Sequence, residues 1–164
     1  MEGYNGRLDA IQAGLLHAKL GYLAKWNDQR RDCAAEYNRL LGDNEAVVLP
    51  YEPSWSRAVY HLYVVRSRDR DGMMDHLKDA GIATGIHYPI PLHLQRAYVS
   101  LKYSLEDLPV ATRLAGEIVS LPMFPQLATE QQERVAQEIR AFTSRATSKE
   151  VVADTLLTPA ELTA

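Results

Sequence analysis

The sequence predicts an α/β domain: a long N-terminal helix packed on a small sheet, with further helices flanking it. Three observations predict it. Apolar residues from Leu8 to Leu41 recur at helical spacing; Val59 to Val65 is dense in β-branched and aromatic residues; and a strand, helix, strand order follows directly. The chain has 164 residues, near the commonest domain size, with 46% apolar and 24% charged residues, so one ordinary core is expected.

Leu8, Ile11, Leu15, Tyr22, Trp26, Cys33, Tyr37 and Leu40 fall three, four or seven apart, the steps that share one helix face. No proline interrupts residues 8–41, and Gly42 supplies a stop. A helix over 7–41 is long for an average packing element and reads as a connector between domains or a dimer-facing helix. Ahead of it, Gly3 and Gly6 bracket Tyr4-Asn5, so the backbone can turn tightly. Asn5 can cap the helix. Alternatively, it can offer its amide to an anion held at the helix N-terminus.

Val47-Val48-Leu49-Pro50 reads as a short strand and Val59 to Val65 as the strongest one. A helix over about Gly72 to Ala80 carries Met73, Leu77 and Ala80 on one face and stops at Gly81. Ile82 to Ile86 reads as another strand. Gly85 to Gln95 holds two prolines within three residues, which excludes regular helix or central strand. It is read as a rigid loop displaying His87, Tyr88 and His93; a proline-stiffened connector with its aromatics tucked under is the plainer alternative. Pro109 opens a helix to about Val119, with Val110, Leu114 and Ile118 as its face. Ser120 to Pro125 is a short extended piece. Thr129-Glu130-Gln131-Gln132 matches a capping box, with Thr129 as cap and Gln132 reaching back, before a helix to about Phe142. The remainder, 143–164, is expected to be a mobile tail.

The formal charge of −3 gives no basic surface of the kind nucleic acids need. One cysteine, Cys33, allows no intrachain disulfide and fits a reducing compartment. No apolar run approaches a membrane span, and no signal sequence opens the chain, so a cytoplasmic protein without membrane contact is expected. Five histidines and one cysteine make no zinc spacing, and no metal site is expected. Nucleophile elbow, P-loop and dinucleotide fingerprint are missing.

Several stretches, in one order, resemble the C-terminal region of the DegT/DnrJ/StrS-type sugar aminotransferases. They are Gly3-Tyr4-Asn5-Gly6-Arg7-Leu8-Asp9 with Ile11-Gln12-Ala13, then Lys19-Leu20, Leu23, Trp26-Asn27 and Arg30-Arg31. Tyr60 to Val65, Thr84 to Pro89, Pro91 to Gln95 with Tyr98, Pro109-Val110-Ala111, Leu121-Pro122-Met123 and the Thr129 helix start follow. The match runs from about Gly3 to Phe142.

The resemblance implies the small, C-terminal domain of a fold-type I enzyme over 1–142, with 7–41 as its interdomain helix. Such enzymes use pyridoxal 5'-phosphate to move an amino group, typically from glutamate, onto a nucleotide-linked keto sugar. They are homodimers with active sites at the subunit interface. By the same resemblance Asn5 binds the cofactor phosphate, and Arg7, His87 and Tyr88 bind the substrate. The family's Schiff-base lysine lies upstream of the opening motif, in a large domain expected to be missing from this chain. No catalytic residue is therefore expected here, and the chain alone is expected to be inactive. The alternative is a binding or dimerisation module, or a split-enzyme partner supplying Asn5 and the His87-Tyr88 loop in trans.

Overall fold

The computed structural model describes residues 6–155, with side chains through residue 145. At its centre lies β2 (Tyr63–Ser67), the middle strand of a three-stranded antiparallel sheet. β1 (Val47–Val48) pairs on one edge, Val47 opposite Ser67. β3 (Ile118–Leu121) pairs on the other, Tyr63 opposite Leu121 and Val65 opposite Val119. Tyr63, Val65 and Ser67 are all buried, the period of two that puts alternate side chains on one face. The strand starts later than the composition suggests, because Tyr60 adopts a positive φ of 46°, outside extended geometry.

The buried face of the sheet meets α2 (Leu23–Leu41) through two stacked rings, Tyr37 and Tyr63, with centroids 4.9 Å apart. Both phenols are satisfied: Tyr37 donates to the Pro122 carbonyl at 3.0 Å and Tyr63 to Asn38 Oδ1 at 2.6 Å. Burial pushes both hydroxyls well above the ordinary tyrosine range, so they stay protonated donors. Cys33, Ala34 and Leu41 complete the inner face of α2.

α3 (Arg70–Asp79) is bounded by two sequence-coded devices. Asp69 accepts from the Gly72 N–H at 3.1 Å at its start. At its end Gly81, at φ 75°, lets the Gly81 N–H reach the Lys78 carbonyl and the Ile82 N–H reach that of Leu77. This is the doubly bonded glycine stop, and the accompanying apolar contact is present in Ile82 and Leu77, both in the core. α5 (Thr129–Thr155) crosses α2 and α3, burying Val135, Ala136 and Ile139. His76 of α3 and Glu138 of α5 meet at 3.0 Å.

Four expectations are corrected. The N-terminal helix is not continuous over 7–41: α1 (Ala10–Leu20) and α2 are separate, broken at Gly21-Tyr22. Glycine is a poor helix former, and α1 buries no residue whose packing could carry the helix across it. Ile82 to Ile86 forms no strand; only Gly85 pairs, in an isolated bridge to Ser120. α4 (Pro109–Glu117) turns Ala115 inward, while Val110 is exposed. The last helix does not stop at Phe142, since no glycine or proline follows before Pro159, and it continues to Thr155. The rest of the tail expected at 143–164 lies outside the described residues.

The capping box is displaced by one residue. Gln131 accepts from the Ala128 N–H at 3.0 Å, which leaves Gln132 for another task. Gln132 is buried and donates to the Cys33 carbonyl at 2.7 Å, joining α5 to α2. Gln132→Ala removes that bond and its volume and is expected to lower stability by about 1–3 kcal/mol. In urea unfolding the midpoint should fall at constant slope; an unchanged midpoint would show that the α2–α5 contact does not depend on this bond.

Candidate functional site

The loop that holds His87 and Tyr88 hangs from the edge strand β3. Ser120 and Gly85 exchange both backbone hydrogen bonds, the Gly85 N–H donating at 3.1 Å and the Ser120 N–H at 2.8 Å. The Ser120 side chain, also buried, lies 2.9 Å from His87 Nδ1 through its Oγ. One residue of β3 therefore holds the loop at two successive points.

Gly85 makes the arrangement possible sterically. A Cβ placed there would stand 3.0 Å from His87 Cε1, so any larger residue would require the imidazole to give by a few tenths of an ångström. The His87-Tyr88 peptide bond is cis, and the two rings meet edge to face with centroids 6.1 Å apart. His87 is exposed, and Tyr88 is 76% exposed. Pro89 and Pro91 then flank the exposed Ile90, and the chain enters two short 3-10 turns, Leu92–Leu94 and Arg96–Leu101. The loop is an ordered platform with its aromatic and imidazole groups outward.

His93 is a correction. The sequence reading displays it on the loop, but the structure buries it, edge to face with Tyr103 at 6.1 Å.

At the other end of the chain, Arg7 is exposed and makes no hydrogen bond or ion pair among the described residues. Asn5 lies outside the described residues. The cap of α1 is Asp9, whose Oδ1 accepts from the Gln12 N–H at 2.8 Å. The capping task considered for Asn5 is thus performed four residues later. The signal was present as Asp9-Ala10-Ile11-Gln12, a capping-box spacing. No hydrogen bond, ion pair or ring contact joins Arg7 to His87 or Tyr88 among the described residues.

A second platform went unread in the sequence. Glu52 gathers three donors: Arg31 at 2.7 Å, the Ala58 N–H at 2.7 Å and the Tyr60 hydroxyl at 2.9 Å, while Arg31 also donates to the Ala58 carbonyl. These donors, Arg31 foremost, hold the Glu52 carboxyl down at about 2, from an ordinary 4.5. The knot secures a loop on which Tyr51 and Trp55 stand almost fully exposed. An acidic residue among scattered charges carries no sequence signal of this kind, because its partners come from two separate segments, α2 and the loop at residues 58–60.

α1 has no buried residue at all. Leu8, Ile11, Leu15, Leu16 and Leu20 are each more than half exposed. An apolar helix face of this extent marks a surface made to be covered. A cavity of about 560 Å³ lies elsewhere, among Arg66, Arg68, Arg113, Glu117 and Phe142, and shares no residue with the His87 loop. Among the described residues no group of three or more metal-ligating side chains forms, and no helix is long and apolar enough to cross a membrane.

Residues 1–140 match the DegT/DnrJ/EryC1/StrS aminotransferase family. The chain belongs to this family. It is 46% identical over 142 residues to a pleiotropic regulatory protein of Geobacillus stearothermophilus, covering 85% of this chain and 38% of that protein. It is 38% identical over 144 residues to the dTDP-3-amino-3,4,6-trideoxy-alpha-D-glucose transaminase of Streptomyces venezuelae, covering 88% and 38%. In structure it is similar to S. venezuelae DesV, solved in complex with a ketimine intermediate, with a TM-score of 0.80 and 37% identity over 87% of this chain and 38% of that one. The chain thus spans a little over a third of the curated relatives it matches. It is a partial, C-terminal portion of the family's fold, and the mixed helix and small-sheet architecture expected from the sequence is the one found.

Two outcomes test the site's construction. Gly85→Ala should leave the fold intact, since the contact is with a side chain, yet push the imidazole by a few tenths of an ångström; the His87 ring resonances should move in a proton–carbon correlation spectrum, and unchanged resonances would contradict the steric role of Gly85. The Glu52 knot is present above pH about 4.5 and is lost as pH falls through about 2, because the folded-state value is the lower one. Trp55 fluorescence should therefore change in that acid window, and Glu52→Gln should abolish the transition; an identical transition in the variant would assign it to another group.

Proposed function

We propose that this chain is the C-terminal domain of a pyridoxal phosphate-dependent enzyme that transfers an amino group, from glutamate, to a nucleotide-linked keto sugar. Family membership supports the reaction class. The transaminase names of several relatives, each the name of that protein, support the substrate class.

The observation that carries the reading is α1, an apolar helix with nothing buried, in a chain that spans only 38% of such a relative's length. In this reading a large domain covers α1. Each of its leucine and isoleucine side chains would then contribute about 1.5–3 kcal/mol on burial.

The described residues do not by themselves fit the cofactor. Lys19, Lys25, Lys78 and Lys102 are all exposed, and a Schiff-base lysine works from a rigid enclosed pocket. Bound to the complete enzyme, pyridoxal phosphate would supply the electron sink for amino transfer. This chain's own contribution is binding. Asn5 serves the cofactor phosphate. Arg7, His87 and Tyr88 serve the sugar of a neighbouring subunit in a homodimer acting in the cytoplasm. Arg7 has no internal partner among the described residues and offers a bidentate fork for an anionic or hydroxyl-rich ligand. Tyr88 offers a ring face, and His87 a ring nitrogen held at a fixed angle.

A second reading, a non-catalytic binding module, has one observation in its favour: a relative is named as a regulatory protein. Both readings place the same residues outward. Mixing the purified chain with a separately produced large domain of a relative separates them. Conversion of glutamate to 2-oxoglutarate in the presence of a nucleotide-linked keto sugar is expected from the mixture and not from either part. A mixture that associates but stays inactive would favour the binding module, and turnover by the chain alone would overturn the proposal.

A further inference from the structure

Ser120 does more than anchor the loop, and the hydrogen-bond inventory around it has a consequence for His87. A neutral imidazole carries one N–H, on either Nδ1 or Nε2, and the partner of one nitrogen decides what the other presents. Here Nδ1 lies 2.9 Å from Ser120 Oγ. Two arrangements satisfy that distance. In one, Nδ1–H donates to Oγ, and a bare Nε2 faces outward. In the other, the Ser120 hydroxyl donates to Nδ1, and Nε2–H faces outward.

Burial separates the two. Ser120 is 5% exposed, and among the described residues His87 is its side chain's only hydrogen-bond partner. If Ser120 only accepted, its own hydroxyl hydrogen would be left inside the protein without an acceptor. That omission costs about 1–3 kcal/mol, enough to bias the tautomer by roughly fivefold to over a hundredfold. If Ser120 donates, no buried donor is left over. The outward Nε2 loses nothing in either case, because His87 is exposed.

We propose that Ser120 is a positioning residue that fixes His87 as the Nε2–H tautomer, so that the exposed loop presents a hydrogen-bond donor to an oxygen of the sugar substrate. The proposal rests on the reading of His87 as a substrate-binding residue, and it adds the polarity of that contact and the residue that sets it. The two hydrogen bonds between Ser120 and Gly85 hold the serine backbone, and the open space at Gly85 lets the ring lie down onto the hydroxyl. The ligand atom that matches is an acceptor, a hydroxyl, carbonyl or phosphate oxygen. An ammonium or another bare donor is excluded from that position.

The test is a two-bond proton–nitrogen correlation spectrum of the histidine rings in the full chain near neutral pH, with His87 assigned by the loss of its signals in His87→Gln. His87 is expected to show the pattern of a single Nε2–H tautomer. Ser120→Ala should return it to the mixed pattern of a solvent-exposed imidazole such as His17, and Ser120→Thr, which keeps the hydroxyl, should restore the single tautomer. A wild-type His87 that is mixed or carries its proton on Nδ1 overturns the proposal, as does a Ser120→Ala chain that keeps the single Nε2–H pattern. If Ser120→Ala fails to fold, the wild-type and Ser120→Thr spectra decide alone. None of these readouts uses turnover, so failure here leaves the aminotransferase reading standing, and inactivity of the reconstituted enzyme leaves the tautomer assignment standing.

Discussion

The stacked pair Tyr37 and Tyr63 is the contact on which the rest of the structure depends. It brings the inner face of α2 onto the central strand of the sheet, and both of its hydroxyls are spent on fixed partners. The Tyr37 hydroxyl holds the carbonyl of Pro122, the residue that follows β3. That strand in turn carries Ser120, and Ser120 carries the His87 loop. A chain of short, satisfied contacts therefore runs from the packing of helix on sheet to an exposed imidazole. The loop owes its order to this inheritance, since its own residues from Tyr88 to Ile90 are all exposed.

The same logic explains why two faces of one apolar pattern end differently. Residues of α2 that continue the stripe of α1 find the sheet and α5, and Cys33, Ala34, Tyr37 and Leu41 are buried. Residues of α1 find nothing, and the helix breaks where a glycine makes breaking cheap. A helix of eleven residues is marginal on its own in water. Its exposed apolar face is the observation on which the proposed covering domain rests, and the curated members of the family are more than twice as long as this chain.

How far the sequence could be read follows from what each feature depends on. Local devices were legible: the β-branched run of β2, the glycine stop of α3, Pro109 at the start of α4 and the extended double-proline loop each rest on neighbours within a few residues. Long-range partners were not. The displaced capping box shows the boundary, since Thr129, Gln131 and Gln132 fit one spacing, and only the distant Cys33 carbonyl decides which glutamine goes where. His93 and the Glu52 knot fall on the same side of that boundary, the one buried by Tyr103 and the other assembled from Arg31, Ala58 and Tyr60. Of the residues the resemblance singles out, Arg7, His87 and Tyr88 are outward-facing, and only for His87 does the fold itself show how the side chain is held.

In the proposed reading α1 belongs to a surface completed from outside this chain. Hydrogen–deuterium exchange of the backbone amides tests it, comparing this chain alone with the same chain joined to the large domain of a relative. α1 amides of the chain alone are expected to exchange at close to unfolded rates while α2 and β2 remain protected, and α1 is expected to become protected in the joined protein. Protection of α1 in the isolated chain equal to that of α2 would contradict it.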